Sequence, residues 1–165
     1  MHRPVVNLDE VELHSLPSEH APSDSAAERF APRIGALGRQ LGALKLGYNL
    51  IALAPGKRAF PFHSHHVNEE MFFVVAGQGE IRIGGDRHVL RAGDVVACPS
   101  GGPETAHQIV NTGQVELRYI AVSTQESPEV CVYPDSCKYS VMVDGEGGFR
   151  TVARLGESAG YWDGE

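Results

Sequence analysis

Nine consecutive residues carry the densest potential for chemistry in this sequence: Phe62-His63-Ser64-His65-His66-Val67-Asn68-Glu69-Glu70. Extended backbone turns successive side chains to opposite faces. His63 and His65 therefore project from one face, about 7 Å apart, and can converge on a single ion, while His66 points the other way. Glu70 opens the apolar run that follows, and its parity mates Phe72, Val74 and Ala76 suit an interior face. A carboxylate there needs a partner, because an unpaired buried charge is costly, and a metal ion would supply one. Glu69, on the opposite parity, reads more simply as a solvent-facing carboxylate, although an irregular strand start would exchange the two.

A third histidine, His107, begins Ala106-His107-Gln108-Ile109-Val110-Asn111, after a loop rich in glycine and proline that runs from Pro99 to Thr105. Three neutral imidazoles and one carboxylate form a borderline donor set. It suits one divalent transition metal per chain, Fe, Mn, Ni, Co or Zn, and disfavours Ca and Mg. One or two coordination positions would stay open for water, substrate or dioxygen. A His-x-His alone is more often surface or core; the added glutamate and the distant histidine give this one its weight. His2, His14, His20 and His88 stand alone in polar or terminal contexts and read as surface residues.

These side chains need short strands to position them. From Leu44 the sequence alternates, with Leu44, Leu46, Tyr48, Leu50 and Ala52 on one parity taken as inward, until Ala54-Pro55-Gly56 ends the run. Further apolar runs follow at 71–76, 80–83, 88–90, 95–98, 108–110 and 115–122. Gly77-Gln78-Gly79, Gly84-Gly85-Asp86, Ala92-Gly93-Asp94 and Asn111-Thr112-Gly113 punctuate them with turn residues. Short strands at this spacing, with no long helical period between them, predict an all-β antiparallel barrel or sandwich. One more hairpin is expected from Lys138–Val143 and the segment 145–155.

The chain, at 165 residues, fits one domain. Residues 1–43 read as an N-terminal arm, 44–124 as the barrel core and 125–165 as a C-terminal hairpin and tail packing on it. The arm is broken by Pro4, Pro17, Pro22 and Pro32 and wraps the barrel or a neighbouring subunit; a short helix is expected to start at Ser25, capped with Glu28. Trp162 reads as a docking residue. A formal charge of −7 without a basic cluster argues against nucleic acid. The lack of a long apolar run or an apolar leader argues against a membrane and for a cytoplasmic protein. Cys98, Cys131 and Cys137 cannot complete a disulfide framework and read as reduced thiols without a role in the chemistry.

The two histidine segments resemble the paired motifs of the cupin superfamily. The first motif runs Gly, about five residues, His-x-His, three or four residues, Glu, six residues, Gly, and is similar to Gly56, His63, His65, Glu70 and Gly77, with six residues after Gly56. The spacing to Gly77 selects Glu70 over Glu69. Gly93, Pro99, Gly101, His107 and Asn111 resemble the other motif, with five residues between Gly101 and His107 where the motif has two. The resemblance spans roughly residues 44–124. It implies a double-stranded β-helix, a jelly-roll barrel, with the metal near its mouth. The arm and tail are also similar to those of small single-domain bacterial cupins, many of them dimers, and a homodimer is expected.

Cupins host many reactions, so the resemblance locates a site better than it names a reaction. The leading expectation is a metal-dependent enzyme acting on a small oxygenated molecule, by dioxygenase-like chemistry or by redox-neutral isomerase or lyase chemistry. The alternative is a non-catalytic module that binds or senses a sugar or carboxylate around a structural metal. Under the first, His63, His65, Glu70 and His107 are ligands, Tyr48 and Tyr119 are candidate phenols for proton transfer, and Phe72 and Asn111 belong to the pocket. Lys57, Arg58, Arg82 and Arg118 are scattered, which counts against a phosphorylated sugar, and Arg82 and Arg118 are expected to face solvent.

Overall fold

The computed structural model describes residues 4–165, so the expectation for His2 lies outside the described residues. Thirteen strands form in chain order: β1 (His14–Ser15), β2 (Pro32–Gly35), β3 (Leu46–Leu53), β4 (Ser64–His65), β5 (Glu70–Ala76), β6 (Gln78–Ile83), β7 (Asp86–Arg91), β8 (Val95–Cys98), β9 (His107–Val110), β10 (Leu117–Thr124), β11 (Glu129–Tyr133), β12 (Lys138–Val143) and β13 (Phe149–Arg154). They make three antiparallel sheets, in the orders β1-β2-β3-β10-β5-β8, β13-β12-β11-β4 and β7-β6-β9. This is the jelly-roll architecture that the motifs imply.

β10 lies at the centre of the largest sheet, paired with β3 from Leu117↔Leu53 to Thr124↔Leu46 and with β5 on its other side. Opposed residues share a face. Ile51, Leu53, Phe72, Val74, Leu117 and Tyr119 consequently point together into the barrel, where they form the main core. The opposite parity is also buried. Leu50 packs with Val11 and Leu37 of the arm, and Tyr48 and Ile120 lie against them. Tyr48 is therefore not on the inward face: it sits outside the barrel beneath the arm, which removes it from the pocket.

The arm adds β1 and β2 to the edge of the sheet, with β2 running along β3 from Pro32↔Leu53 to Gly35↔Leu50. Proline is tolerated at the first residue of such a strand. Burying Val11, Leu37 and Leu50 contributes roughly 1.5–3 kcal/mol for each side chain, which offsets the entropy of ordering the segment. A four-residue helix, α1 (Asp24–Ala27), begins one residue earlier than expected, with Ser23 at its N-cap and no capping bond from a side chain, so the Ser25–Glu28 pair does not form. A second helix, α2 (Leu37–Leu41), is too short to show a helical period in the sequence.

The C-terminal hairpin forms as β12 and β13 and is joined by β11, which inserts between β12 and β4. Trp162 does not dock on the barrel: it is 77% exposed, with its ring edge against Tyr161. Arg82 and Arg118 are not free in solvent either. Arg82 lies 3.6 Å over the Phe62 ring and pairs with Asp135, and Arg118 reaches Asp9 and the Leu8 carbonyl of the arm. No helix among the described residues is long and apolar enough to cross a membrane.

The turn from β5 to β6 depends on Gly77, whose φ of +79° is left-handed and whose Cβ position would lie 2.4 Å from the Glu116 carbonyl oxygen. Gly56 has a similar φ, +77°, but open space around it. Alanine at either site incurs the left-handed penalty of roughly 1–2 kcal/mol, and only Gly77→Ala adds a backbone collision. Urea denaturation should show the larger loss of stability for Gly77→Ala than for Gly56→Ala, and equal losses would mean that the β5–β6 turn is free to move.

Candidate metal centre

Three strand junctions deliver the four expected ligands to one point. His63 and His107 face each other across an antiparallel bridge closed by both backbone bonds, His63 N–H to His107 O at 3.2 Å and His107 N–H to His63 O at 2.8 Å. His65 lies on β4 opposite Cys131 of β11. Glu70 is the first residue of β5, between Cys98 of β8 and Ser123 of β10. Glu69, its rival in the sequence, is exposed.

Glu70 Oε2 lies 2.8 Å from His107 Nε2, 3.5 Å from His65 Nε2 and 3.8 Å from His63 Nε2, and one donor atom from each of the four residues falls within 4.8 Å of the others. The far nitrogens are held from behind. His63 Nδ1 is 2.8 Å from the Pro61 carbonyl oxygen and His107 Nδ1 is 3.2 Å from that of Thr105. A carbonyl oxygen can only accept, so in these two rings Nδ1 carries the proton and the Nε2 lone pair is directed inward. Behind His65 Nδ1 stand Cys131 Sγ at 3.3 Å and Glu129 Oε2 at 3.4 Å.

The donor set fits a divalent transition metal. His65 Nε2 is buried without a hydrogen-bond partner, an arrangement that is costly unless something accepts its lone pair. Three imidazoles and one carboxylate are the combination expected of Fe, Mn, Ni, Co or Zn. Burial, followed by the neighbouring His107, lowers the His63 imidazole to about 4, so it stands ready as a neutral ligand. Burial also pulls His65 down, but the Cys131 sulfur and Glu70 more than offset this and raise it to about 10. Burial would raise Glu70, yet the histidines, His107 foremost, hold its carboxyl far below the ordinary range.

Of the other expected site residues, Phe72 and Tyr119 are at the centre. The Phe72 ring lies 5.5 Å from that of His107 and 5.7 Å from that of Tyr119, and all three border a cavity of about 50 Å³ on the barrel side of the ligands. That is room for one or two waters or a diatomic molecule. Burial, followed by Glu70, pushes the Tyr119 phenol above its usual value, so it stays protonated. Asn111 is elsewhere. Its amide donates to the Leu53 and Val115 carbonyls and accepts from Gly113 N–H, which makes it the clamp of a turn and not a pocket residue. Four residues of extended chain, about 13 Å, separate it from His107.

A larger cleft of about 590 Å³ opens on the solvent side, with His65 and Glu70 at its floor and Asn68, Ser123, Thr124 and Arg150 in its walls. Three residues missed in the sequence complete the surroundings: Glu129, Cys131 and Tyr133. Tyr133 stacks on His63 at 6.1 Å. All three cysteines are free thiols, as expected, and Cys131 stands against His65. The available signal was the alternation Glu129-Val130-Cys131-Val132-Tyr133 between two prolines, which marks a strand with one polar face.

Residues 49–123 match the sequence profile of the Cupin domain family. Among curated relatives, the chain is 33% identical over 101 residues to quercetin 2,3-dioxygenase of Bacillus subtilis, 56% of this chain and 29% of that protein. It is also 33% identical over 70 residues to an oxalate-binding protein of Thermotoga maritima, 42% of this chain and 54% of that one. The chain thus spans only part of the length of these relatives. Among solved structures, a sugar phosphate isomerase of the cupin superfamily from Silicibacter pomeroyi superposes with a TM-score of 0.80 over 97% of this chain and 98% of that chain, at 24% identity. At that identity the likeness establishes the fold alone.

Metal uptake should be stoichiometric and should depend on pH. The metal-free His65 keeps its proton up to about pH 10 and must release it to ligate, whereas His63 has none to release. Raising the pH removes the competing proton, so affinity for cobalt or zinc should tighten by up to about tenfold per pH unit across the neutral range, with protons released on binding. Calorimetry in buffers of different ionisation enthalpy checks this. Elemental analysis should find about one metal per wild-type chain and almost none in the His63→Ala, His107→Ala double variant.

Proposed function

We propose that this chain, which carries a cupin domain over residues 49–123, is a metal-dependent enzyme acting on a small oxygenated organic molecule held at the cleft floor between His65 and Glu70. The observation that carries this reading is the convergence of three imidazole nitrogens and one carboxylate oxygen beside a cleft that two of the four residues, His65 and Glu70, line. Bound there, a divalent transition metal supplies Lewis acidity toward a substrate oxygen and, when redox-active, access to dioxygen.

The chain's own groups do the rest. Ser123, in the cleft wall, offers a hydroxyl group to an oxygenated ligand. Phe72 and Tyr119 line the barrel side of the centre, and Tyr119, as a neutral phenol, can donate a hydrogen bond toward the small inner cavity. Glu70 is the carboxylate best placed to hold or pass a proton if it leaves the ion during turnover.

Phosphate recognition is poorly served. Lys57 is committed to the Glu28 carbonyl, Arg82 to Asp135 and Arg118 to the arm. Arg150 does line the cleft, but it stands 3.6 Å from Asp144 and shares the wall with Glu126. The oxalate-binding relative supports a second reading, a binding module with a structural metal.

The test is turnover by the metal-loaded protein, aerobically and anaerobically, against flavonols, oxalate and simple aldoses, beside Glu70→Ala. Product that requires dioxygen would mark dioxygenase-like chemistry, and product formed without it would mark the isomerase or lyase branch. Both should fall by at least about a hundredfold in Glu70→Ala. Saturable binding with no product in either atmosphere would establish the binding module instead. The reading also includes a homodimer, supported by the exposed Met71, Phe73 and Val95 on the outer face of β5 and β8. Light scattering should return twice the 17.8 kDa chain mass, and a value near one chain would remove the dimer.

A further inference from the structure

Glu129 is 3% exposed and lies 3.4 Å from Nδ1 of His65, and among the described residues no lysine or arginine forms an ion pair with it. Its carboxylate is held by backbone. Oε1 accepts from the N–H groups of His66 at 3.1 Å, Val67 at 3.2 Å and Val130 at 2.8 Å. Oε2 accepts from Asn68 N–H at 2.8 Å and from the Asn68 side-chain amide. Asn68 is fixed in turn, because its own side-chain oxygen accepts from Thr124 Oγ1 at 2.9 Å and from Glu126 N–H at 2.7 Å. Donors surround both carboxylate oxygens, so the group is built to be an anion that neither rotates nor takes a proton.

We infer that Glu129 is a positioning residue of the centre: an anion fixed behind His65 that keeps the imidazole proton on Nδ1, turns the Nε2 lone pair toward the ion and sets His65 apart from the two histidines braced by neutral carbonyls. This rests on the metal-centre reading above and deepens it. The three rings are alike in residue type and differ in what stands behind them: Pro61 O for His63, Thr105 O for His107, and for His65 the Cys131 sulfur within hydrogen-bond distance together with the Glu129 carboxylate at 3.4 Å. An anion behind an imidazole makes it a stronger donor, and it adds a second negative charge, beside Glu70, to offset that of the ion. Cys131 Sγ, 3.3 Å from the same nitrogen, is the hydrogen-bond partner of that nitrogen, and the Glu129 charge beside it reinforces a proton held there.

His65, Glu129 and Cys131 also lie close enough to suggest a second ion. The geometry favours a supporting role. Both Glu129 oxygens already accept N–H bonds, and His65 Nδ1 must keep its proton for Nε2 to ligate. The trio therefore serves the first site from outside it.

The experiment compares cobalt(II) binding by wild type, Glu129→Gln and Glu129→Asp, using competition with a chromophoric chelator, together with thermal melts and proton NMR of the cobalt-loaded chains. Outer-shell partners of this kind typically change metal affinity by about 10–100-fold, and a loss in that range is expected for Glu129→Gln, with Glu129→Asp between it and wild type. NMR of wild type should show three paramagnetically shifted, exchangeable imidazole N–H protons. Glu129→Gln should displace one and leave two, which a general loosening of the fold would not do. Affinity within about twofold of wild type, or three resonances moving together, would overturn the inference. If Glu129→Gln does not fold, Glu129→Asp is read by the same two criteria. A wild-type chain that binds no cobalt would overturn the metal reading and this inference with it, whereas wild type and Glu129→Gln binding equally well would overturn the inference alone.

Discussion

A carboxylate aimed into an apolar barrel has to be neutralised where it stands, and the mouth of this protein is organised around that requirement. Glu70 shares its face of β5 with Phe72 and Val74, both buried, and only 17% of its side chain is exposed, so bulk water solvates it incompletely. Three histidines meet it instead, brought by strands distant in sequence: His63 and His107 by a bridge between the lead-in to β4 and the start of β9, His65 by the pairing of β4 with β11. Without an ion, a protonated His65 answers part of that charge, and a divalent cation held by the three rings and Glu70 would answer it in full.

The surrounding layers follow from that centre. On the barrel side, the rings of Phe72 and Tyr119 meet edge to face and leave only a small cavity, and apolar walls of this kind strengthen the electrostatic contacts between Glu70 and the histidines. On the outer side, the carbonyls of Pro61 and Thr105 fix two of the rings. The loop before β9 is longer than the cupin motif has it, yet His107 still reaches the ligand position, because that loop is tied in by Gly101 N–H bonding to the His65 carbonyl at 2.7 Å and by Thr105 bonding back to Gly102. The extra residues thus form a strap alongside the metal ligands.

Much of this was legible in the sequence, and the failures have physical causes. The convergence of His63, His65, Glu70 and His107 could be read because a strand's period of two leaves His63 and His65 little choice of face, and because Glu70 heads a run whose alternate members are apolar. Tyr48 was misplaced because β3 is covered on both sides: Leu50, Ile51, Ala52 and Leu53 are all buried, so the alternation that would tell inside from outside is absent. Asn111 keeps the parity of His107 but lies a strand's length away from it, and parity carries no information about depth. The alternation around Glu129 marks a strand with a polar face but not what that face meets, since its partners His66, Val67 and Asn68 are more than sixty residues earlier in the chain. Buried polar networks closed by long-range contacts are the part of a site that local pattern cannot supply.

The insertion of β11 beside β4 has a consequence for how such a site can diversify. The four ligands lie within the stretch that matches the family, residues 49–123, whereas Glu129, Cys131 and Tyr133, which stand directly behind or upon two of them, lie beyond it. Inner and outer layers of the same centre are thus carried by separable stretches of chain. A lineage could exchange the later strand and so alter the donor strength of one histidine, and with it the choice of metal or reaction, while the ligand set itself stayed untouched. Modularity in this protein runs through the middle of a binding site instead of between domains.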